Sequence, residues 1–380
     1  MALISPAPPL ETAQRFIAVV PVDPTSDPRW LDFIARHPHA TVYHHPAWLQ
    51  VLVSEYRRRA VCLAAVGADG RFQGVLPLLE TRGLPFGRHG SPGRRLSSLP
   101  RTPVAGPLSQ DQQVTAALVR AAIDWLEIRP RMRLELRLSF PSCDGLVPGL
   151  VATPWLPSYR LELPADPARL RFGDSRNHAR IKWALGRASR QGVRVRPAES
   201  IEDLRRWYPL YLRTMQSHAA PTRSRRFFEA AWEQLRPRGL MRLLLAEQPD
   251  AGAPRLLAGS VFLMFGPTVF YAFNGCSEQG RRVRANDVIQ FQAINDACGA
   301  GFHSYDLGEV VESQDGLHEF KQKWGATAYR LYRYAYPSTG ARSTTSPGAP
   351  GIHIRLAKTA WRRLPRRVAA GISDRLYGYL

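Results

Sequence analysis

The sequence predicts an α/β protein with two similar halves, each a mixed sheet flanked by helices, followed by a basic C-terminal tail. The chain has 380 residues, enough for two domains that each bury a core. Helix and strand patterns recur in the same order in both halves, and the composition changes after the second. We therefore expect two similar domains at 16–165 and 166–337, with a linker and basic amphipathic tail at 338–380.

The composition is that of a soluble globular protein with an unusual charge. Hydrophobic residues make up 44% and charged residues 22% of the chain. Fifty-two Lys and Arg against 31 Asp and Glu give a net charge of +21. This favours a polyanionic partner: nucleic acid, a nucleotide-bearing cofactor or an anionic membrane surface.

The sequence shows no metal-binding or disulfide pattern of cysteines and no pattern typical of a signal peptide or a membrane span. The four cysteines form neither a CxxC pair nor a Cys/His ligand spacing, which argues against a zinc site or a disulfide framework. Residues 1–15 lack a signal-peptide pattern, and Gly and Pro interrupt the apolar stretch 256–273. We expect a cytoplasmic protein without a transmembrane helix.

Local patterns define the first half. Asp27 can cap a helix that begins at Pro28, and a Gly-Ala-Asp-Gly turn at 67–70 predicts a hairpin. The predicted helices are 27–34, 46–52 and 114–128, and the predicted strands are 61–66, 71–79 and 133–138.

The second half repeats this order. Its predicted helices are 201–215, 226–235 and 286–298, and its predicted strands are 241–247, 256–265, 268–274 and 302–307. Overlaying the late helices of the two halves gives a repeat of about 170 to 175 residues, typical of a duplicated unit. Antiparallel strands followed by a helix and a further strand predict a mixed sheet.

A basic helix is predicted between the halves, from 175 to 191. Asp174 or Ser175 can cap it, and Gly192 suits its C-terminal end. One side carries a stripe of arginines, and the opposite side is apolar. The stripe comprises Arg176, Arg180, Arg187 and Arg190. It is either a solvated face or a contact for phosphate groups of a donor or acceptor.

The tail is different in kind. Residues 337–351 are rich in Ser, Thr, Gly and Pro and predict a linker. Beyond them, apolar residues recur on one side of a basic segment. They are Trp361, Leu364, Val368 and Ile372. The segment 352–380 either docks on the protein's own surface or contacts anionic lipid at the inner face of the membrane.

Three motifs carry a resemblance to a known family. They are the segment 177–193 with the sequence NHARIKWALGRASRQGV, the run Asp306-Leu307-Gly308, and 320–326 with the sequence FKQKWGA. Together with the duplicated unit, they resemble the FemAB-like branch of the GNAT superfamily over roughly residues 16–336. The resemblance implies two GNAT-like domains and transfer of an acyl or aminoacyl group to an amine.

The resemblance also implies the partners. Founding members use aminoacyl-tRNA to extend peptidoglycan cross-bridges, and some relatives are associated with exopolysaccharide production. We expect acyl-CoA or aminoacyl-tRNA as co-substrate, no tightly bound cofactor, and an envelope or polysaccharide precursor as acceptor. The alternative is a non-catalytic module of this fold that binds RNA or an anionic membrane surface.

The resemblance implies a transfer site in the second half. A GNAT-like fold is expected to use backbone N–H groups where two strands splay, beside a helix whose N-terminus receives phosphate. This maps to the strand 268–274 and the helix from Asn286, joined by a loop at 275–285. The loop lacks the paired glycines of acetyl-CoA-dependent relatives, so the donor stays open. Arg281, Arg282 and Arg284 in it either bind phosphate or are solvated.

Further candidates lie around this strand. Lys321 matches the lysine of the family's Phe-Lys pair, so it either orients substrate and stabilises negative charge or is a surface lysine. Asp306 is either a base or a structural carboxylate, and Tyr271 and Asn274 contact either substrate or core. Phe320 and Asn286 are expected to bind substrate or donor, and Trp324 either does so or shapes the loop. Glu309 and Glu312 are alternative bases.

The first half contains fewer candidate site residues. His37, His39, His44 and His45 suggest a metal, but the adjacent His44 and His45 cannot easily converge on one ion, so we expect none. The family segment before a Gly-Gly-Pro turn often carries an acidic residue that approaches substrate. The matching segment 102–107 has no carboxylate and lacks the first glycine.

Overall fold

A computed structural model describes residues 17–81, 94–129, 132–311 and 313–337, together with 361, 364, 368 and 371–373 of the tail. The helices are α1 Pro28–Arg36, α2 Pro46–Tyr56, α3 Gln112–Glu127, α4 Ser175–Arg190, α5 Ile201–Ser217, α6 Arg225–Leu235, α7 Glu278–Arg282, α8 Ala285–Gly299 and α9 Asp315–Gln322. The strands are β1 Ala18–Val22, β2 Ala60–Val66, β3 Phe72–Thr81, β4 Arg94–Ser97, β5 Leu108–Ser109, β6 Met132–Leu138, β7 Val151–Glu162, β8 Arg194–Pro197, β9 Met241–Gln248, β10 Arg255–Phe265, β11 Thr268–Cys276, β12 Ser304–Glu309 and β13 Thr327–Tyr336.

All the described strands belong to one mixed sheet. Their order is β1-β2-β3-β4-β6-β13-β7-β12-β11-β10-β9-β8, with β5 paired to β3. Two ladders are parallel: β4 with β6, and β11 with β12. A helix connects the strands of each parallel pair, α3 in the first half and α8 in the second. The predicted α/β class with a duplicated mixed sheet is therefore confirmed.

The centre of the sheet joins the two halves. β13 pairs antiparallel with both β6 and β7, and β7 also pairs with β12. The expected division at 165/166 assigns β7 to the first domain and β13 to the second, so strands of both halves alternate here. The division into two domains remains a prediction.

The ends of the helices follow local chemistry. The carboxylate of Asp27 accepts a hydrogen bond from the backbone N of Arg29, and that of Asp174 accepts one from Asn177 at 2.7 Å. The sequence predicted a loop at 275–285, but residues Glu278–Arg282 within it form the short helix α7. The side chain of Ser277 caps this short helix by accepting from the backbone N of Gly280 at 2.9 Å.

Hydrophobic side chains pack on both faces of the sheet. On one face, a core around Trp48, Phe227 and Phe270 combines residues of both halves. We call this the aromatic face. The opposite face of the second-half strands packs against α4, α8 and α9, and we call it the α8 face. Tyr305 and Leu307 of β12 point to the α8 face, so Asp306 between them points to the aromatic face.

The described positions of the tail contact the protein body. Nε2 of Gln216 donates to the carbonyl of Leu364 at 2.6 Å, and the backbone N of Thr222 donates to Oγ of Ser373 at 3.1 Å. Ser373 is fully buried, whereas Val368 and Ile372 are exposed. The rest of the predicted tail segment lies outside the described residues. None of the helices described has both the length and the apolar character needed to cross a membrane.

Candidate active site

The strands β11 and β12 part within the sheet. Their parallel pairing covers only three residue pairs, from Thr268 with Ser304 to Phe270 with Asp306. Beyond that point β11 continues along β10 to Cys276, while β12 continues along β7. The edge of β11 after Phe270 therefore has no strand partner on the β12 side. Unpaired backbone N–H groups at such an opening are suited to stabilise a developing oxyanion.

Lys321 lies at this opening. Its side chain is buried, and its Nζ donates to the carbonyls of Gly308 at 2.7 Å and Glu309 at 3.0 Å. Gly308 has a positive φ of 81°, and a Cβ built there would lie 3.9 Å from Nζ of Lys321 and 3.8 Å from the carbonyl oxygen of Tyr271. The lysine therefore lies beside Gly308, just beyond the last paired residues of β11 and β12, and it is not a surface lysine.

Burial lowers the pKa of Lys321 from 10.5 to about 8, although the negative charges of Asp306 and Glu309 act in the opposite direction. The group is therefore mostly protonated at pH 7. An ammonium group has three N–H donors, and the two carbonyls occupy two of them. One donor is left for a ligand.

Asp306 belongs to a polar network on the aromatic face. Its Oδ1 accepts from Oγ of Ser158 at 3.1 Å and from the backbone N of Gly308 at 2.7 Å. Its Oδ2 accepts from the hydroxyl of Tyr329 and lies 3.9 Å from the guanidinium of Arg160. These partners satisfy the carboxylate, so the geometry favours a positioning role over that of a base.

Tyr271 and Asn274 lie beside a second set of polar side chains, Ser260 and Gln290. Oγ of Ser260 donates to Oδ1 of Asn274 at 3.2 Å. Burial raises the pKa of Tyr271, while Ser260 and Gln290 hydrogen-bond its side chain and act in the opposite direction. The hydroxyl is therefore protonated at neutral pH, and it can donate a hydrogen bond but not act as a base.

The arginines after β11 are exposed on the α8 face. The guanidinium of Arg282 pairs with Glu278 at 2.5 Å, and that of Arg281 contacts the carbonyl of Cys276 at 3.5 Å. Arg284 precedes α8 with a positive φ of 65°, and its guanidinium lies 5.1 Å from the ring centroid of Trp183. Asn286 is half-buried, and its Oδ1 has no hydrogen-bond partner among the described residues.

Helix α4 lies beside this loop. Nε of Arg187 donates to the carbonyl of Arg282 at 3.0 Å, and its guanidinium lies 5.7 Å from the ring centroid of Trp183. Trp183 is 51% exposed, which is unusual for tryptophan. Arg176 and Arg180 are exposed on the same helix. Two separately predicted basic segments therefore meet at an exposed aromatic ring.

The remaining candidates have structural positions. Trp324 is fully buried and packs edge-on against Phe172, with centroids 5.3 Å apart, and Phe320 lies beside it. Glu309 accepts from Nε1 of Trp155 at 3.0 Å. Glu312 lies outside the described residues.

Sequence reasoning missed two buried ion pairs. Lys323 pairs with Asp287 at the start of α8, two residues along the chain from Lys321. Arg223 pairs with Glu55 at 2.5 Å, and these side chains are 3% and 6% exposed. The second pair joins α2 to the segment before α6 and so links the two halves.

The histidines have local roles. Burial lowers the pKa of His44 to about 4, and its Nε2 lies 3.2 Å from the carbonyl of Gly106. Nδ1 of His45 accepts from the backbone N of Ala47 at the start of α2. The part of the chain that the structure describes contains no group of three potential metal ligands.

The comparison with known families identifies the second half. Residues 173–322 match the family model described as "Acetyltransferase (GNAT) domain". The parted strands and Lys321 lie in this range. This half of the chain therefore resembles GNAT acetyltransferase domains. No curated protein matches the sequence.

Solved structures resemble this chain over most of its length. FemX aligns with a TM-score of 0.67 and 16% identity, covering 84% of this chain and 98% of FemX. The C-terminal domain of a putative lysylphosphatidylglycerol synthetase from Agrobacterium fabrum aligns with a TM-score of 0.54 and 13% identity, covering 83% of this chain and 91% of that domain. L-PGS from Bacillus licheniformis aligns with a TM-score of 0.51 and 9% identity, covering 87% of this chain and 99% of that structure. At these identities the likeness concerns the fold alone.

Proposed function

We propose that this protein is an acyltransferase that moves an acyl or aminoacyl group from an activated donor to an amine of a cell-envelope or polysaccharide precursor. The observation that carries the proposal is the buried Lys321 at the point where β11 and β12 part. A buried, mostly protonated lysine with a remaining donor is suited to orient a carbonyl substrate or stabilise the charge that develops on it. Its two carbonyl contacts fix its position before substrate binds.

We assign the other candidates around this lysine. Backbone N–H groups of β11 beyond Phe270 stabilise the oxyanion, and Tyr271 and Asn274 on the same strand contact the substrate. The carboxylate of Asp306 accepts a hydrogen bond from the backbone N–H of Gly308. The carbonyl of Gly308 in turn accepts one from Nζ of Lys321. Asp306 is thus a positioning residue in this proposal.

The donor is expected on the α8 face, in the second of the two proposed domains. The segment before α8 lies beside α4, where Nε of Arg187 donates to the carbonyl of Arg282, and exposed arginines of both segments supply positive charge for the phosphates of acyl-CoA or charged tRNA. They are Arg281, Arg282, Arg284, Arg176 and Arg180. Both donors are nucleotide derivatives, and the net charge of +21 favours either of them. Either would act as co-substrate rather than as a tightly bound cofactor.

The acceptor belongs to the cell envelope in this proposal. The resemblance to FemAB-like proteins supports peptidoglycan or polysaccharide precursors. One structural neighbour is described as a lysylphosphatidylglycerol synthetase domain and another as L-PGS. We therefore also include a lipid acceptor in the experiment below. A cytoplasmic protein with peripheral contact at the inner membrane face, through 352–380, would reach either acceptor.

The test measures product mass. Purified full-length protein is incubated with acyl-CoA or charged tRNA, each combined with an amine-bearing peptidoglycan precursor or an amine-bearing polysaccharide precursor. Phosphatidylglycerol vesicles, which offer hydroxyl groups and no amine, form a separate arm, and transfer in that arm alone would contradict the amine acceptor. We expect one pairing with an amine-bearing precursor to give acyl transfer, reduced about a hundredfold or more in Lys321→Met. Lys182→Met on the exposed side of α4 is the control and should keep full activity.

Two further outcomes would contradict the proposal. Salt-sensitive RNA binding without transfer in any pairing would favour a non-catalytic module. Full activity of a folded Lys321→Met variant would remove this lysine from the site.

A further inference from the structure

Helix α4 presents a row of exposed basic residues around one tryptophan. The residues recur at intervals of three and four positions, so they share one side of the helix, and all of them are exposed. They are Arg176, Arg180, Trp183, Arg187 and Arg190, and we call this row the α4 ridge. The helix contains no acidic residue. None of the carboxylates that the structure describes forms an ion pair with the arginines of the ridge.

The loop before α8 extends this basic surface. Nε of Arg187 donates to the carbonyl of Arg282 at 3.0 Å, which joins the ridge to the loop. The guanidinium groups of Arg187 and Arg284 lie 5.7 Å and 5.1 Å from the ring centroid of Trp183. These contacts hold the ring among positive charges, while the residue stays 51% exposed.

The length of the ridge favours a macromolecular partner. Arg176 and Arg190 are separated by about 21 Å of helix, at about 1.5 Å per residue. This length exceeds the nucleotide end of one coenzyme A molecule. A small donor would therefore leave part of the ridge without a partner.

The single exposed ring distinguishes between anionic macromolecules. Single-stranded nucleic acids stack successive bases on several aromatic side chains, but Phe172 before α4 is buried and only Trp183 is exposed on the ridge. A helix that lies on a membrane inserts a row of apolar side chains, whereas Ile181, Ala184 and Ala188 are buried within the protein. One exposed tryptophan among arginines is typical of the energetic centre of a protein interface. An acidic protein would complement its charge.

The loop between β11 and α8 indicates what such a protein would deliver. Glycine-rich loops before a helix commonly bind the pyrophosphate of a nucleotide. The loop 277–284 has one glycine, Gly280, which is buried, and a Cβ built there would lie 2.5 Å from the carbonyl oxygen of Leu257. Gly280 therefore packs against β10 and does not form an open cradle. This favours an acyl donor with fewer phosphates than coenzyme A.

We propose that the α4 ridge docks an acidic acyl carrier protein, which presents the acyl group as a thioester on a phosphopantetheine arm. The inference rests on the proposed acyl transfer and names its donor. The arm has a single phosphate and needs no pyrophosphate cradle, while carboxylates of the carrier pair with the arginines of the ridge.

The transfer balances with this donor. The acceptor amine forms an amide bond to the thioester carbonyl carbon, the C–S bond breaks, and the carrier thiol leaves with the proton that the amine loses. Acyl-CoA has the same arm and would act as a weaker donor, because it lacks the docking surface.

The test measures binding of the acyl carrier protein of the source organism, purified with its phosphopantetheine arm and without an acyl group. We expect titration calorimetry to give a micromolar dissociation constant at about 50 mM salt, weakened about tenfold or more at about 0.5 M salt. Trp183→Ala and Arg180→Glu should each weaken binding about tenfold or more. Lys182→Glu reverses an exposed charge on the same helix but off the ridge, so it is the matched control and should bind within about twofold of wild type.

Three results would overturn the proposal. The first is a dissociation constant above about 1 mM at low salt. The second is equal weakening by Lys182→Glu and Arg180→Glu, because binding would then follow net charge rather than the ridge. The third is tighter binding of uncharged tRNA or anionic vesicles that Trp183→Ala weakens. Circular dichroism checks that each variant keeps its fold. Neither acyl group nor acceptor is present, so failure here is distinct from failure of the proposed transfer.

Discussion

Replacing Lys321 with Met separates a functional lysine from a structural one. Nζ of Lys321 contacts two backbone carbonyls, and no side-chain carboxylate within 4.0 Å is described for it. Lys323, two residues later, is also buried but pairs with Asp287. The two lysines have similar burial but different partners, so the same substitution should affect the free energy of unfolding in different ways.

The magnitude for Lys321 follows from its pKa, which falls from 10.5 in the unfolded chain to about 8 in the folded protein. Holding the charge in the folded state therefore costs about 3 kcal/mol below pH 8. The unfolded chain binds more protons between the two pKa values, so the stability of the wild type rises as pH increases from about 8 to 10.5. Met removes this cost but also removes two hydrogen bonds, worth about 1 kcal/mol each.

We therefore expect Lys321→Met to be about 1 kcal/mol more stable than wild type at pH 7 and about 2 kcal/mol less stable near pH 10.5. Urea unfolding at both pH values measures the difference. Lys323→Met leaves the Asp287 carboxylate buried and unpaired, so it should lose about 3 kcal/mol or more at pH 7. If Lys321→Met is destabilised as much as Lys323→Met at pH 7, Lys321 is structural and the reasoning fails.

Three further substitutions test the rest of the site. Gly308→Ala places a Cβ at a φ of 81° and should lower the free energy of unfolding, measured in urea, by about 1 to 2 kcal/mol. The rate of acyl transfer should fall by more than the loss of folded protein explains. Arg223→Met leaves Glu55 buried without this partner and should lower the free energy of unfolding by about 3 to 5 kcal/mol, whereas an unchanged urea midpoint would contradict a stabilising role for this ion pair. Trp183→Ala removes the exposed ring beside Arg284 and should raise the KM for the nucleotide-bearing donor about tenfold with kcat unchanged, whereas an unaltered KM would remove this ring from the donor site.

Local signals predicted most of the fold. Capping residues and the Asp-Gly turn located α1, α4 and the first hairpin, because each depends on residues only a few positions apart. The central strands β7 and β13 escaped prediction. β7 contains Pro154 and Pro157, which argue against a strand in sequence alone. β13 is rich in Tyr and Arg and buries only two of its ten residues, so it lacks the apolar run of a central strand.

The candidate site was predictable only in part. The motif that contains Lys321 directed attention to the right residue, but its burial and lowered pKa come from packing against β12. The ion pair of Lys323 with Asp287 spans 36 positions, and that of Arg223 with Glu55 spans 168. No periodicity connects residues so far apart. The partners are brought together only by the completed fold.

The proposed transfer site connects the two faces of the sheet. Lys321 lies on α9, which packs on the α8 face, whereas Asp306 lies on the aromatic face. The parting of β11 and β12 lies between these two faces. A donor held by arginines on one face could therefore meet an acceptor that approaches from the other only at this opening. Because Asp306 accepts from the backbone N of Gly308, and Gly308 accepts from Lys321, the two faces are coupled at the opening by hydrogen bonds.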